Sequence, residues 1–202
     1  MRKYFFAVFV LMSMSMDISM TSFVLIPSLQ ATMVVPMNLS QMTRDAEKIF
    51  RGVCTSIETE LDENNMPATY IRFQVLEGIK GLESGETVLI KQAGSSKDPV
   101  KLLDGEKVIL PMKSLSLSSR SYEEGKEYLL FYYPESEWGF TSPVGAGQGL
   151  FEVETDSRGM KSVINPLNNR FIREVRRERG LEGASKLTDV TTKVQSLILQ
   201  NP

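Results

Sequence analysis

Residues 125–133 read GKEYLLFYY, the strongest strand pattern in the chain. From Tyr128 to Tyr133 every side chain is apolar or aromatic. A strand with one face in water would instead alternate apolar and polar residues. A short continuous apolar run that follows a glycine predicts a strand covered on both of its faces. This strand therefore needs neighbours in a sheet and a further layer on each side.

Shorter β patterns lie on both sides of this strand. FRGVCTSIETEL (50–61) and TYIRFQVL (69–76) flank the polar cluster DENN (62–65), and two such runs around a turn predict a hairpin. The other predicted strands are 86–92, 106–111, 138–142, 149–154 and 161–164. The chain is therefore expected to be a meander of short strands.

Two amphipathic helices are predicted to flank the strands. Asn38 and Gln41 have the spacing of a capping box before a helix over residues 39–48. Ser185 is predicted to cap a final helix. Its apolar face would carry Leu187, Val190, Val194, Leu197 and Ile198.

These elements predict a mainly β protein. The expected architecture is a small OB-like β-barrel of about six to eight strands, because closing a sheet removes its exposed edges. The N-terminal and C-terminal helices would cover it. The barrel domain with its leading helix is assigned to residues 32–166. An Arg-rich segment and the final helix are assigned to residues 167–202.

The N-terminal segment, residues 1–31, has the pattern of a secretory signal peptide. Arg2 and Lys3 precede the apolar run 4–16, and Ala31 supplies a small residue before a cleavage point. The sequence therefore predicts export to the periplasm or the medium. The alternative is an anchor that is not removed. Asp17 argues against it, because a charge near the middle of a bilayer is costly.

Composition excludes several classes of activity. The 202 residues include no histidine and one cysteine, Cys54, so histidine-based catalysis, histidine–metal sites, intrachain disulfides and cysteine-cluster metal sites are excluded. A net charge of −2 gives no general attraction to nucleic acid. We predict no cofactor, no metal and no catalytic set. Membrane contact is expected only through an uncleaved N-terminal segment.

Four residues are predicted to contact a partner. Arg173, Arg176 and Arg177 are spaced to share a helix face that could bind an anionic partner, although a solvated segment is the alternative. Trp138, between acidic residues, is predicted to lie at the surface as an aromatic contact.

Other chemically suggestive stretches are given structural roles. The Gly-rich residues 145–149 precede a strand rather than a helix, so they predict a turn and not a phosphate cradle. Residues 62–65 lack calcium-loop spacing. Ser95 and Lys97 are predicted to lie in a solvated loop, and Cys54 is predicted to be buried.

The order of several short motifs resembles a group of exported bacterial proteins with no assigned activity. The motifs are VVPMNL (34–39), RGVC (51–54), GKEYLLF (125–131) and QGLFEV (148–153). That group is similar in outline to netrin-like modules and to the tissue inhibitors of metalloproteinases. The resemblance covers residues 34–165 and implies an OB-type barrel with a binding or inhibitory role. The inhibitors' zinc-binding N-terminal cysteine has no counterpart here, because Cys54 lies within a predicted strand.

The leading hypothesis is therefore an exported, non-enzymatic module that binds a protein or a cell-envelope component. A His-free hydrolase using Ser, Lys, Asp or Glu is the second hypothesis. A structural protein anchored by its N-terminal segment is the third. The sequence leaves the partner and the oligomeric state open.

Overall fold

A computed structural model describes residues 35–94, 122–175 and 183–200. The elements are α1 (Leu39–Asp45), β1 (Lys48–Leu61), β2 (Pro67–Lys80), β3 (Thr87–Ala93), β4 (Glu127–Tyr132), β5 (Leu150–Thr155), β6 (Lys161–Ile164), β7 (Ser185–Lys186) and α2 (Leu187–Gln200). None of the helices in these ranges is both long enough and apolar enough to cross a membrane. The predicted signal peptide and the strand predicted at 106–111 lie outside the described residues.

The seven strands form one antiparallel sheet in the order β3-β2-β1-β4-β5-β6-β7. The expectation of a mainly β protein with two helices is confirmed. The expected closure into a barrel is wrong: within the described ranges, β3 and β7 stay at opposite edges and no ladder joins them. The edge of β3 instead meets a loop residue, Phe140, through a single bridge at Lys91.

The sheet nevertheless curls, as hydrogen bonds that link side chains of distant strands indicate. Gln92 on β3 donates from Nε2 to the Tyr122 hydroxyl at 3.3 Å, and that hydroxyl lies 2.6 Å from the hydroxyl of Tyr132 on β4. Two strands, β2 and β1, separate β3 from β4 in the sheet. Because the one side chain of Tyr122 bridges their side chains, this part of the sheet must bend back on itself.

The core consists of two hydrophobic clusters that meet at β4. Leu129 and Phe131 belong to the cluster that also contains residues of α1 and α2, whereas Leu130 and Tyr132 belong to the second cluster. All four side chains are fully buried. Because alternate residues of a strand point to opposite faces, the prediction that this strand is covered on both sides is confirmed.

The helices differ from the predictions at their ends. The capping box of Asn38 and Gln41 is confirmed, but α1 ends at Asp45 and β1 already begins at Lys48. The Lys80 ammonium donates to the carbonyls of Thr43 and Ala46 at the C-terminal end of α1. A cation stabilises this end of a helix, because the last carbonyl groups carry partial negative charge. Before α2, Ser185 lies in β7 and pairs with Val163 of β6. The prediction that Ser185 caps α2 is therefore wrong.

The predicted strand at 138–142 is also wrong. Gly139 has φ of 74°, a left-handed conformation that glycine adopts without strain. Its amide donates to the Ser136 carbonyl at 2.8 Å, which closes a turn. The chain therefore forms a loop at this position, with single bridges at Phe140 and Pro143.

Candidate functional site

Of the four predicted partner-binding residues, the structure describes Arg173 and Trp138. Arg173 is exposed, and its backbone amide donates to the carboxylate of Glu174 at 2.9 Å. The same carboxylate accepts from the Ser40 amide of α1, so Glu174 is directed toward that helix. Arg176 and Arg177 lie outside the described residues. Trp138 lies at the surface, where the residue is 56% exposed.

Trp138 lies in a short loop, residues 134–142, which we call the Trp138 loop. Hydrogen bonds hold the backbone of this loop. The Ser136 amide donates to the Phe140 carbonyl at 2.8 Å, and the Ser136 hydroxyl accepts from the Phe140 amide at 3.1 Å. At the base of the loop, the Tyr133 amide donates to the Ser142 carbonyl, and the Thr141 hydroxyl donates to the Tyr133 carbonyl at 2.6 Å. These bonds fix the backbone on both sides of an exposed indole.

Lys91 of β3 connects this loop to the β1–β2 hairpin. Its ammonium donates to the Trp138 carbonyl at 3.0 Å and lies 3.0 Å from Asp62 Oδ2. It also lies 4.3 Å from the centroid of the Phe140 ring, within cation–π range. The Lys91 side chain is only 15% exposed. One cation therefore joins the loop, the edge strand and the hairpin turn.

Asp62 is the anchor for that cation. Its side chain is fully buried, and Oδ1 accepts from the amides of Met66 at 2.8 Å and Asn64 at 2.9 Å. The bond from the Met66 amide, together with Lys91, lowers the pKa of the Asp62 carboxyl below its ordinary value. The bond to Asp62 in turn raises the pKa of Lys91. Both groups therefore stay charged at neutral pH.

A cleft of about 570 Å³ lies beside the Trp138 loop. Gln92 and Ala93 of β3 form one part of its lining, and Tyr133, Pro134 and Pro143 contribute apolar surface. Its other lining residues are Glu135, Ser136, Phe140, Thr141, Ser142, Ala146 and Gly147. A concave surface of apolar and hydroxyl-bearing side chains is typical of sites at which proteins hold another molecule.

A second cleft, of about 510 Å³, lies near the start of α2, and its lining includes Arg51, Glu77 and Lys161. Arg51 forms ion pairs with Glu77 at 3.1 Å and Glu127 at 2.7 Å, and Lys161 pairs with Glu127 at 2.6 Å. The charges of Arg51, Glu77 and Lys161 are therefore already paired within the protein. It is therefore a weaker candidate than the cleft beside Trp138.

The other suggestive stretches have structural roles where they are described. Cys54 is fully buried, as predicted, and burial raises the pKa of its thiol to about 11. Residues 145–149 form a turn before β5, in which the buried Gln148 amide group donates to the carbonyls of Val35 and Gly145. Residues 62–65 form the predicted hairpin turn, with Asn65 at φ of 56°. Ser95 and Lys97 lie outside the described residues.

Lys91 and Asp62 are not among the predicted site residues. The pattern of ETVLIKQ marks Lys91 only as an outward-facing residue of a strand, and Asp62 has the signature of a turn residue. Neither signal predicts that the two side chains meet.

In the three described ranges, no group of His, Cys, Asp and Glu residues is arranged to hold a metal ion. Comparison with protein-family models and with curated proteins finds no match to this chain. The resemblance to netrin-like modules and metalloproteinase inhibitors therefore stays a prediction.

Proposed function

We propose that this chain is an exported, non-enzymatic binding module whose Trp138 loop docks a partner protein. The observation that carries the proposal is the contrast between the exposed Trp138 side chain and its hydrogen-bonded backbone. Tryptophan is among the residues that contribute most to protein interfaces when a partner covers them. An aromatic side chain on a fixed backbone loses little further freedom on binding, which favours affinity.

The cleft supports a protein or envelope partner of extended shape. It continues from the Trp138 loop to the end of β3, so a bound segment would contact both. Its lining combines prolines and aromatic rings with hydroxyl groups and backbone, which suits a chain that presents both apolar side chains and amides.

The relation to OB-like and netrin-like modules is part of this proposal. It is supported by the β1–β2–β3 meander, by the pairing of β4 with β1 and by the curl that brings β3 near β4. An OB-type barrel is itself partly open, so an open edge at β3 does not separate the two plans. Export, to the periplasm or the medium, rests on the sequence of residues 1–31.

The hydrolase alternative gains no support from Lys91. A lysine that serves as a general base needs a pKa lowered toward neutrality, whereas the bond to Asp62 raises the pKa of Lys91. Lys91 is therefore not suited to act as the general base of a hydrolase.

A selection with random peptides tests the proposal. The full chain and a Trp138→Ala variant are each used to select from one library, with circular dichroism to show that both are folded. Peptides selected by the wild-type chain are expected to lose about thirtyfold in affinity for the variant, which corresponds to a loss of about 2 kcal/mol at an interface hot spot. Leu199→Ala is the matched control, because Leu199 is an exposed apolar residue on α2. Selected peptides that bind the wild-type chain and the Trp138→Ala variant with equal affinity would refute a role for Trp138.

A further inference from the structure

The surface around Trp138 is acidic. Glu137 directly precedes the tryptophan in an exposed position, and Glu135 lies two residues further back, beside the cleft. The hairpin turn brings another carboxylate to this region: Glu63 follows Asp62, and the Asp62 side chain shares the Lys91 ammonium with the Trp138 carbonyl. Exposed carboxylates therefore come from two elements that are distant in sequence.

The register of the sheet extends this acidic surface. Glu58 pairs with Tyr70, and Tyr70 pairs with Lys91, so these residues form one cross-strand row. Glu60 lies one outward position closer to the hairpin turn, and both glutamates are exposed. The row ends at the lysine that holds the Trp138 loop, so Glu58 and Tyr70 lie on the same side of the sheet as that loop.

The cations near this surface are largely used within the protein. Lys91 forms an ion pair with the buried Asp62. Lys48, whose side chain is 16% exposed, forms an ion pair with Glu135. Arg72 is an exception: it is exposed on the next outward row, opposite Ser56 and Leu89 in the sheet register, and no ion pair engages it in the described ranges. Within the described residues, no ion pair engages Glu63 or Glu137, so the surface keeps an excess of negative charge.

We propose that the partner docks a Lys- or Arg-bearing segment of polypeptide on this surface, with the cationic side chain against the Trp138 indole and attracted by the exposed carboxylates of Glu63 and Glu137. The inference rests on the proposed function, which supplies the binding role of Trp138. An indole face attracts a cation more strongly than other aromatic rings do, and nearby carboxylates add a charge-complementary field. The cleft beside the loop holds the rest of the segment.

The test compares three peptide libraries that differ only at a fixed central residue: Lys or Arg, Gln, and Asp or Glu. Binding is measured on the full chain by fluorescence, because Trp138 is the only tryptophan and its emission reports on this site alone. The basic library is expected to yield the binders. Their affinity should fall as salt is raised, because exposed charges are screened.

A charge-matched pair of variants separates the local charges from the total charge. Glu63→Gln with Glu137→Gln is expected to weaken the basic peptides by roughly threefold to tenfold, because two exposed ion pairs are lost. Glu83→Gln with Glu154→Gln removes the same charge from exposed positions elsewhere and is expected to leave affinity unchanged.

The outcomes are distinguishable from those of the proposed function. Neutral peptides that bind as tightly as basic ones, and still require Trp138, would overturn the cationic partner and leave the binding module standing. Basic peptides that respond equally to both charge variants would also overturn it, since the attraction would then be nonspecific. If no selected peptide required Trp138 for binding, both the cationic partner and the binding module would be overturned.

Discussion

Replacing either of two adjacent residues in β4 with alanine is expected to destabilise the fold strongly. Leu130 and Phe131 are both fully buried, but they belong to different hydrophobic clusters. Leu130→Ala removes three buried carbon groups at about 0.8 kcal/mol each, or about 2.4 kcal/mol of transfer free energy. The cavity that remains raises the expected cost to about 2–5 kcal/mol, and Phe131→Ala is expected to cost about 3–5 kcal/mol.

Urea denaturation measures both losses as changes in the free energy of unfolding. Midpoints should fall with an unchanged slope against urea concentration, because the surface exposed on unfolding stays similar. Leu89→Ala is the control, since Leu89 is 46% exposed on the edge strand β3 and its truncation is expected to cost less than about 1 kcal/mol. A cost below about 1 kcal/mol at Leu130 or Phe131 would refute the account that both faces of β4 are covered.

Three further predictions concern single side chains. The thiol of Cys54 should react with a thiol reagent at about pH 8 roughly 100-fold more slowly in the folded chain than in the unfolded chain, because burial raises its pKa to about 11; equal rates would contradict this. Lys91→Met should lower the fluorescence anisotropy of Trp138, because it releases the loop carbonyl, and an unchanged anisotropy would show that Lys91 does not hold the loop. The lowered pKa of Asp62 contributes stability above the ordinary Asp pKa of about 3.9, and this contribution is lost as pH falls through the folded-state value. Asp62→Asn should therefore make the free energy of unfolding, measured in urea from neutral to acid pH, less dependent on pH, and an unchanged slope would argue against the Asp62 interactions.

The regular part of the fold could be predicted because its signals are local. The apolar run at 128–133 and the alternation at 69–76 require specific faces to be buried, and the structure buries them. The capping box at Asn38 involves residues only three positions apart. Each of these patterns can be recognised from residues that are only a few positions apart in the sequence.

The remaining features depend on contacts between distant segments. Barrel closure depends on whether the edges of the sheet meet, and the edge at β3 meets the Trp138 loop through a single bridge. The alternation at 138–142 favoured a strand, but Gly139 and the Ser136 side chain close a turn there. The Lys91–Asp62 pair forms because the hairpin turn bends back onto β3, which no local pattern encodes.

The most direct test of the binding account follows the indole of Trp138 by nuclear magnetic resonance. With one tryptophan in the chain, the indole N–H gives a single resonance that needs no further assignment. Titration with a peptide selected by the wild-type chain is expected to shift this resonance together with the backbone amides of Ser136 and Gly139. If calorimetry detects binding of the peptide while the indole resonance does not shift, the account is contradicted.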